Sequence, residues 1–322
     1  ASISEKMRIR GDGGIAIGAG NVGYSSQILS VKSGAADTVF YGESTDANCF
    51  ASYRDNSSSA NIEYGARGND HVLRKDTSDG NNLTSGSNNT GMGRDVFIST
   101  LTGDANTAVG TGAGRLLGSG SRNSLFGDGA GDKLANASDN VAIGYEALFT
   151  NVGSGQNVAI GVNAARAFTG SRLVAIGTDA AKALSSDVDN VFIGQQAGEK
   201  RTGGTDNTFV GAYANYNGAA TGGGNTGVGK STGYSLTSGV QNTFVGRQAG
   251  YSVTDGADNT MVGHNTGIFV TGSGNTYMGS YAGDASSSSG SYNTGIGRAG
   301  LSAVTSGTYH TAVGYNAGDE IT

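Results

Sequence analysis

Asn140-Val-Ala-Ile-Gly144 and, seventeen residues on, Asn157-Val-Ala-Ile-Gly161 are two copies of a segment written fourteen times along this chain of 322 residues. Its general form is Asn-Thr/Val-x-apolar-Gly. The closing glycines are Gly93, Gly110, Gly127, Gly144, Gly161, Gly177, Gly194, Gly211, Gly229, Gly246, Gly263, Gly279, Gly297 and Gly314, in steps of 16, 17 or 18 residues. A unit this short cannot enclose a core alone, so it must stack on its neighbours, and the period therefore decides the architecture.

Each column of the repeat has a physical role. The residue before the glycine is always apolar, as at Met92, Val109, Phe126, Ile143, Ile160 and Val313, and is expected to form a core column. Two positions earlier stands Thr, Ser or Val, so small or β-branched residues alternate with a variable position. That period of two predicts a strand of about four or five residues. Asn stands four before the glycine except where Leu173 and His310 replace it, and stacked Asn can hydrogen-bond along a ladder. Three after the glycine Ala recurs, and seven after it an apolar residue: Leu117, Leu134, Phe168, Leu184, Leu236, Val253, Val270 and Val304. The latter predicts a second short strand in each repeat. Two strands and two turns make one rung of a flattened parallel coil, and fourteen rungs at strand spacing give a rod on the order of 65–70 Å long.

Composition supports a rod. Gly is 58 of 322 residues, Pro and Trp are absent, and charged residues are 14%. Proline lacks the N–H that each rung must donate to the next, so a continuous ladder excludes it. A Gly- and Ser-rich chain can be disordered, but disorder does not hold apolar residues in phase over fourteen repeats. So few large side chains make a thin core. Three rolls around a common axis would bury the apolar column of each, which predicts a homotrimer. The expected fold is all-β: a trimeric parallel β-roll or β-solenoid of about fourteen 17-residue rungs over residues 89–322. Residues 19–88 break the period. Alternating runs at Thr38-Val-Phe-Tyr41, Cys49-Phe-Ala-Ser-Tyr53, Asn61-Ile-Glu-Tyr64 and His71-Val-Leu-Arg74, separated by turn-forming residues, predict a small knob of antiparallel strands.

The segments around Asn140, Asn157 and Asn242-Thr-Phe-Val-Gly246 resemble the head repeats of trimeric autotransporter adhesins, which form trimeric parallel β-rolls. The longer unit from Asn225 to Gly239 is similar to repeats of bacteriophage tail fibres. Glu5-Lys-Met-Arg-Ile-Arg-Gly-Asp-Gly-Gly-Ile-Ala-Ile-Gly18 resembles the fibre motif that links a preceding domain to a trimeric segment, so residues 1–18 are expected to be a trimeric connector strand. The resemblance implies a virion location, other tail or fibre proteins as partners, and a stiff shaft that reaches toward host-surface polysaccharide. A bacterial surface adhesin head is the alternative it implies.

Other features narrow the chemistry. There is no apolar run of eighteen residues and no signal-peptide pattern, so no membrane insertion is expected. A start at Ala1 without Met and an end at Ile321-Thr322 in mid-rung suggest a processed or trimmed fragment. A lone Cys49 forms no intrachain disulfide and reads as a small buried hydrophobe. The net charge of −6 argues against a nucleic-acid partner. His71, His264 and His310 are too scattered in sequence for a zinc site, no Asp column suits calcium, and no cofactor is expected. Glycan cleavage would need two carboxylates roughly 5–10 Å apart in a groove. Asp128, Asp132, Glu146, Asp179, Asp187 and Asp189 fall at turns, and no enzyme activity is expected. Thr90, Thr107, Thr208 and their equivalents could order water as an ice-binding array. However, they share the facing of the apolar column and are expected to be buried with it.

The candidate recognition surface lies in the ninth to eleventh repeats and the rung before them. Tyr216, Tyr234 and Tyr251 recur five after the glycine, and Lys230, Arg247 and His264 one after it. Aromatic faces beside cations suit a sugar or an acidic glycan. An aromatic ladder that only stiffens the rod is the competing expectation.

Overall fold

The computed structural model describes residues 86–321 apart from 218, 219, 286 and 287, and before them the backbone of seven strands. Those strands are β1 (Met7–Ile9), β2 (Ile15–Ile17), β3 (Leu29–Lys32), β4 (Thr38–Phe40), β5 (Asn48–Arg54), β6 (Asn61–Arg67) and β7 (Asp70–Lys75). β1 to β4 form one mixed sheet, whose β2–β3 pairing crosses residue 18. β5, β6 and β7 form an antiparallel meander, and β7 pairs in parallel with the first strand of the repeats. The predicted strands near residues 38, 49, 61 and 71 are β4 to β7; the side chain of Cys49 lies outside the described residues.

From β8 (Thr90–Met92) to β21 (Thr311–Val313) the repeats form fourteen parallel strands, one per rung, of a β-solenoid. Register is unbroken across repeats of unequal length. Val158 pairs with Val174 sixteen residues on, Val141 with Val158 seventeen on, and Thr208 with Thr226 eighteen on. The turns absorb the difference. The pairing runs as a line and does not close on itself: rungs advance in one direction, and Thr311 and Val313 on β21 are exposed.

The strands are three or four residues long, and their facing differs from the expected one. The central, variable residue points inward: Ala108, Leu125, Ala142, Ala159, Phe192, Phe209, Phe244, Met261 and Tyr277 are fully buried. The apolar residue before the glycine is not a core column in the single chain, since Met92, Phe126, Ile143, Val228, Val245, Met278 and Ile296 are exposed. Alternation along a strand explains the correction, because the neighbours of an inward residue must point outward.

The core is filled by complementary sizes within each rung. Where the strand centre is large, as at Phe244, Met261 and Tyr277, the residue four after the glycine's own column is Gly250, Gly267 or Gly283, and a Cβ there would meet the large side chain at 2.5, 2.4 and 2.5 Å. Where the centre is Gly91, Ala142 or Gly295, the partner is Phe97, Leu148 or Leu301, each buried. One volume is thus filled from either of two columns. The column seven after the glycine, including Leu117, Leu134, Phe168, Leu184, Leu236, Val253, Val270 and Val304, completes the interior.

That second side of the rung is not the predicted strand. Residues two and four after the glycine adopt left-handed backbone, as at Glu146 (φ 48), Leu148 (φ 51), Asn163 (φ 55) and Ala165 (φ 51), so the chain curls instead of extending. It still bonds to the next rung, with Gly131 N–H donating to Ala147 C=O and Leu148 N–H to Ala164 C=O, both at 2.9 Å. Among the described residues, none of the non-glycine residues with positive φ is Val, Ile or Thr, the residues whose branched Cβ makes that conformation costliest.

Asn stacks as expected, along the inside corner of the rod. Asn140 Nδ2 donates to Asn123 Oδ1 at 3.0 Å, and Asn140 Oδ1 accepts from both N and Nδ2 of Asn157 at 3.1 and 3.0 Å. Each amide closes the turn by a further bond to a backbone carbonyl, such as Asn123 Nδ2 to Ala137 C=O at 2.9 Å. Burial without unpaired groups is what lets so polar a column sit inside.

Not every rung keeps an apolar residue in the column seven after the glycine, since Thr100 and the fully buried Asn151 also stand in it. Arg201 takes the same column and is fully buried. Its Nη1 donates to Asn215 Oδ1 at 2.7 Å and its Nη2 to Gly222 C=O, while Nε has no partner. Burial pulls its pKa down to about 10, against the opposing influence of Asp187. Because a buried charge held by neutral acceptors contributes little, Arg201→Leu is expected to leave stability unchanged or raise it by up to about 2 kcal/mol. A urea unfolding midpoint well below that of the native chain would contradict this.

Candidate polysaccharide-binding face

Past each glycine the backbone leaves the sheet, so the residue one position on projects outward while Ala three positions on is buried. The residue five positions on lies over the curled side of the rung. Repetition therefore places like columns one rung apart, roughly 4.7–4.9 Å.

The three tyrosines named from sequence do meet. Tyr216 and Tyr234 have ring centroids 5.4 Å apart and tilted by 34°; Tyr234 and Tyr251 stack at 4.7 Å and 8°. All three are half-buried. Tyr213, which the sequence reasoning missed, packs its edge on Tyr216 at 5.6 Å, and Lys200 Nζ lies 4.6 Å from the Tyr216 ring centre. Burial and then the neighbouring phenols raise the pKa of Tyr234. The rings cover each other's faces, so the stack is well suited to bracing consecutive rungs.

The cations form a separate line. Lys230 and Arg247 are exposed. Arg247 Nη1 lies 3.1 Å from His264 Nε2; a guanidinium only donates, so this bond requires the histidine tautomer protonated on Nδ1. His264 meets Tyr281 edge-on at 5.5 Å. Arg298 lies 5.9 Å from the Tyr281 ring centre and 5.6 Å from that of Tyr315, and its Nη1 reaches Tyr315 Oη at 3.4 Å. Arg298 and Tyr315 occupy the same column as Lys230, Arg247 and His264. Ser280 interrupts the run and hides it from a search for consecutive rungs.

Elsewhere among the described residues, Arg201 apart, the arginines are paired with carboxylates. Arg115 holds Asp132 at 2.8 Å, Arg122 holds Asp139 at 2.5 Å, Arg172 holds Asp189 at 2.6 Å, and Arg166 pairs with Glu146. Hydrogen bonding to the arginine holds Asp139, Glu146 and Asp189 below the usual carboxylate range. Lys182 holds Asp179 at 3.0 Å. Four of the carboxylates considered for glycan cleavage, Asp132, Glu146, Asp179 and Asp189, are thus engaged with cations.

A second surface is the outer face of the long sheet. It carries two parallel columns, the Thr/Val column and the Val/Ile/Met column, over fourteen rungs. Thr107, Thr208, Thr226, Thr243, Thr260, Thr276 and Thr294 are half-buried, and Thr90 and Thr311 are exposed. The expected burial of this threonine column is therefore not met within one chain. Compared with protein-family models, curated proteins and solved structures, the chain matches none.

Proposed function

We propose that the chain is the shaft segment of a homotrimeric extracellular fibre, a bacteriophage tail fibre carried on the virion among other tail or fibre proteins. The shaft holds a receptor-binding part away from the particle and touches host-surface polysaccharide along its side. The observation that carries this reading is the outward apolar column. Exposed or half-buried Val, Ile, Met and Phe at one position of successive rungs make a stripe on the order of 60 Å long, far beyond what scattered surface residues need. A flat stripe of that length, flanked by β-branched Thr and Val, is suited to close packing against its own copies around an axis. A bacterial adhesin head of the same build would share these features.

Light scattering tests the assembly. The native chain is expected at about three times 32.1 kDa, and Ile160→Asp with Ile193→Asp at about one, with an unchanged circular dichroism spectrum. Charges at an apolar interface core are strongly disfavoured. A monomeric native chain would remove the shared axis. The outward threonine column would then favour a second reading, an ice-binding array, which thermal hysteresis would reveal.

A further inference from the structure

The cation line of the last six rungs offers what the tyrosine stack does not. In the tyrosine stack, ring faces are spent on one another and on Lys200. In the line Lys230, Arg247, His264, Tyr281, Arg298 and Tyr315, each side chain from Arg247 onward touches the next, so that two arginines are interleaved with three aromatic rings, and Tyr281 and Tyr315 are exposed. Among the described residues no ion pair joins Lys230, Arg247 or Arg298 to a carboxylate, whereas Arg94, Arg115, Arg122, Arg166 and Arg172 all have one. The column five after the glycine, which holds the tyrosines, carries Asp284 and Asp319 in two of the last rungs. The Asp284 carboxyl is raised in pKa by burial instead of being stabilised by a cation.

We propose that this line binds a polysaccharide of uronic-acid sugars, lying parallel to the rod axis. Three features select that class. The binding groups repeat at rung spacing, roughly 4.7–4.9 Å, close to the length of one pyranose ring, which suits a polymer with a repeating unit. The guanidinium fork of Arg247 or Arg298 matches a planar carboxylate in bidentate fashion. The exposed face of a tyrosine ring is electron-rich and accepts the C–H face of a sugar. A neutral glycan would use the rings and leave the arginines idle.

The proposal rests on the polysaccharide-contact part of the fibre reading, and its test separates the two. After its mass is measured, the full chain is titrated into fluorescein-labelled polygalacturonate oligomers and, separately, labelled dextran, by fluorescence anisotropy at low and physiological salt. Polygalacturonate is expected to bind at least about tenfold more tightly than dextran, and more weakly as salt rises. Arg247→Gln with Arg298→Gln is expected to weaken that binding about tenfold or more, while Tyr234→Leu leaves it within about twofold. Equal binding of the two polymers, native-like binding by the double variant, or an equal loss with Tyr234→Leu would each overturn it. A monomer that binds polygalacturonate would sink the trimeric fibre and keep the site; a trimer that does not bind would do the reverse.

Discussion

Gly144→Ala is expected to destroy cooperative folding of the solenoid. At Gly144 φ is +128°, a conformation closed to residues with a Cβ, and a Cβ there would lie 2.5 Å from the carbonyl oxygen of Gly161 and 2.7 Å from its carbon. Both obstacles are backbone of the next rung, held by the pairing of Val141–Ile143 with Val158–Ile160, so neither can swing aside. Relief requires the rungs to separate, which breaks the ladder at that point and leaves two shorter stacks. A cost of about 4 kcal/mol or more is expected. In a structure stabilised by nearest-neighbour contacts, such a break appears as a split or much earlier melting transition. Gly153→Ala is the control, because a Cβ there meets nothing within 4 Å. Its melting curve should overlay that of the native chain, and similar curves for both variants would refute the close-contact argument.

Asn140→Ala is expected to be nearly as damaging, for a different reason. The substitution removes the acceptor of both the main-chain N–H and the Nδ2 of Asn157, and it takes one of two donors from Asn123 Oδ1, leaving that of the main-chain N–H of residue 140. The remaining Asn residues are fully buried and have no water to turn to. Orphaning two buried donors costs about 3–5 kcal/mol together. The urea unfolding midpoint should fall accordingly. The chain itself indicates what softens the loss: at Leu173 the backbone N–H still donates to Asn157 Oδ1 at 3.0 Å, and Asn190 Nδ2 satisfies itself on Val188 and Gly204 carbonyls. Asn140→Leu, which fills the space, should therefore cost less than Asn140→Ala. The reverse order would mean that the corner is too tight for a leucine side chain.

The period was legible because stacking imposes it on every column at once. The inward Ala and Leu columns and the Asn ladder were legible too, since each admits one size or one hydrogen-bonding pattern. The facing of the strand was not. The inward column varies from Gly91 to Phe244 because its volume is shared with a residue six positions later, and this variation disguised a core position as a tolerant one. The outward column looked like core because it is uniformly apolar, which is the mark of burial against something, but not necessarily against the same chain. The curled return was hidden for a related reason. An apolar residue at Leu117 or Leu134 signals an inward side chain and says nothing about backbone shape, whereas the lack of Val, Ile and Thr two and four after the glycine carried that signal. In the candidate site, the stack of Tyr216, Tyr234 and Tyr251 followed from column and spacing. The link of Arg247 through His264 and Tyr281 to Arg298 did not, because it passes between columns around Ser280.

Register that survives steps of sixteen, seventeen and eighteen residues has a genetic consequence. Unequal crossing-over between two repeats in a gene adds or deletes whole units, and small slips at the junction fall in a turn that already tolerates them. Such an event changes the reach of the rod by one increment of roughly 4.7–4.9 Å and leaves every remaining contact in place. In the proposed fibre, the distance between the particle and the surface it touches is then encoded as a copy number, open to adjustment in discrete steps without any new side-chain chemistry.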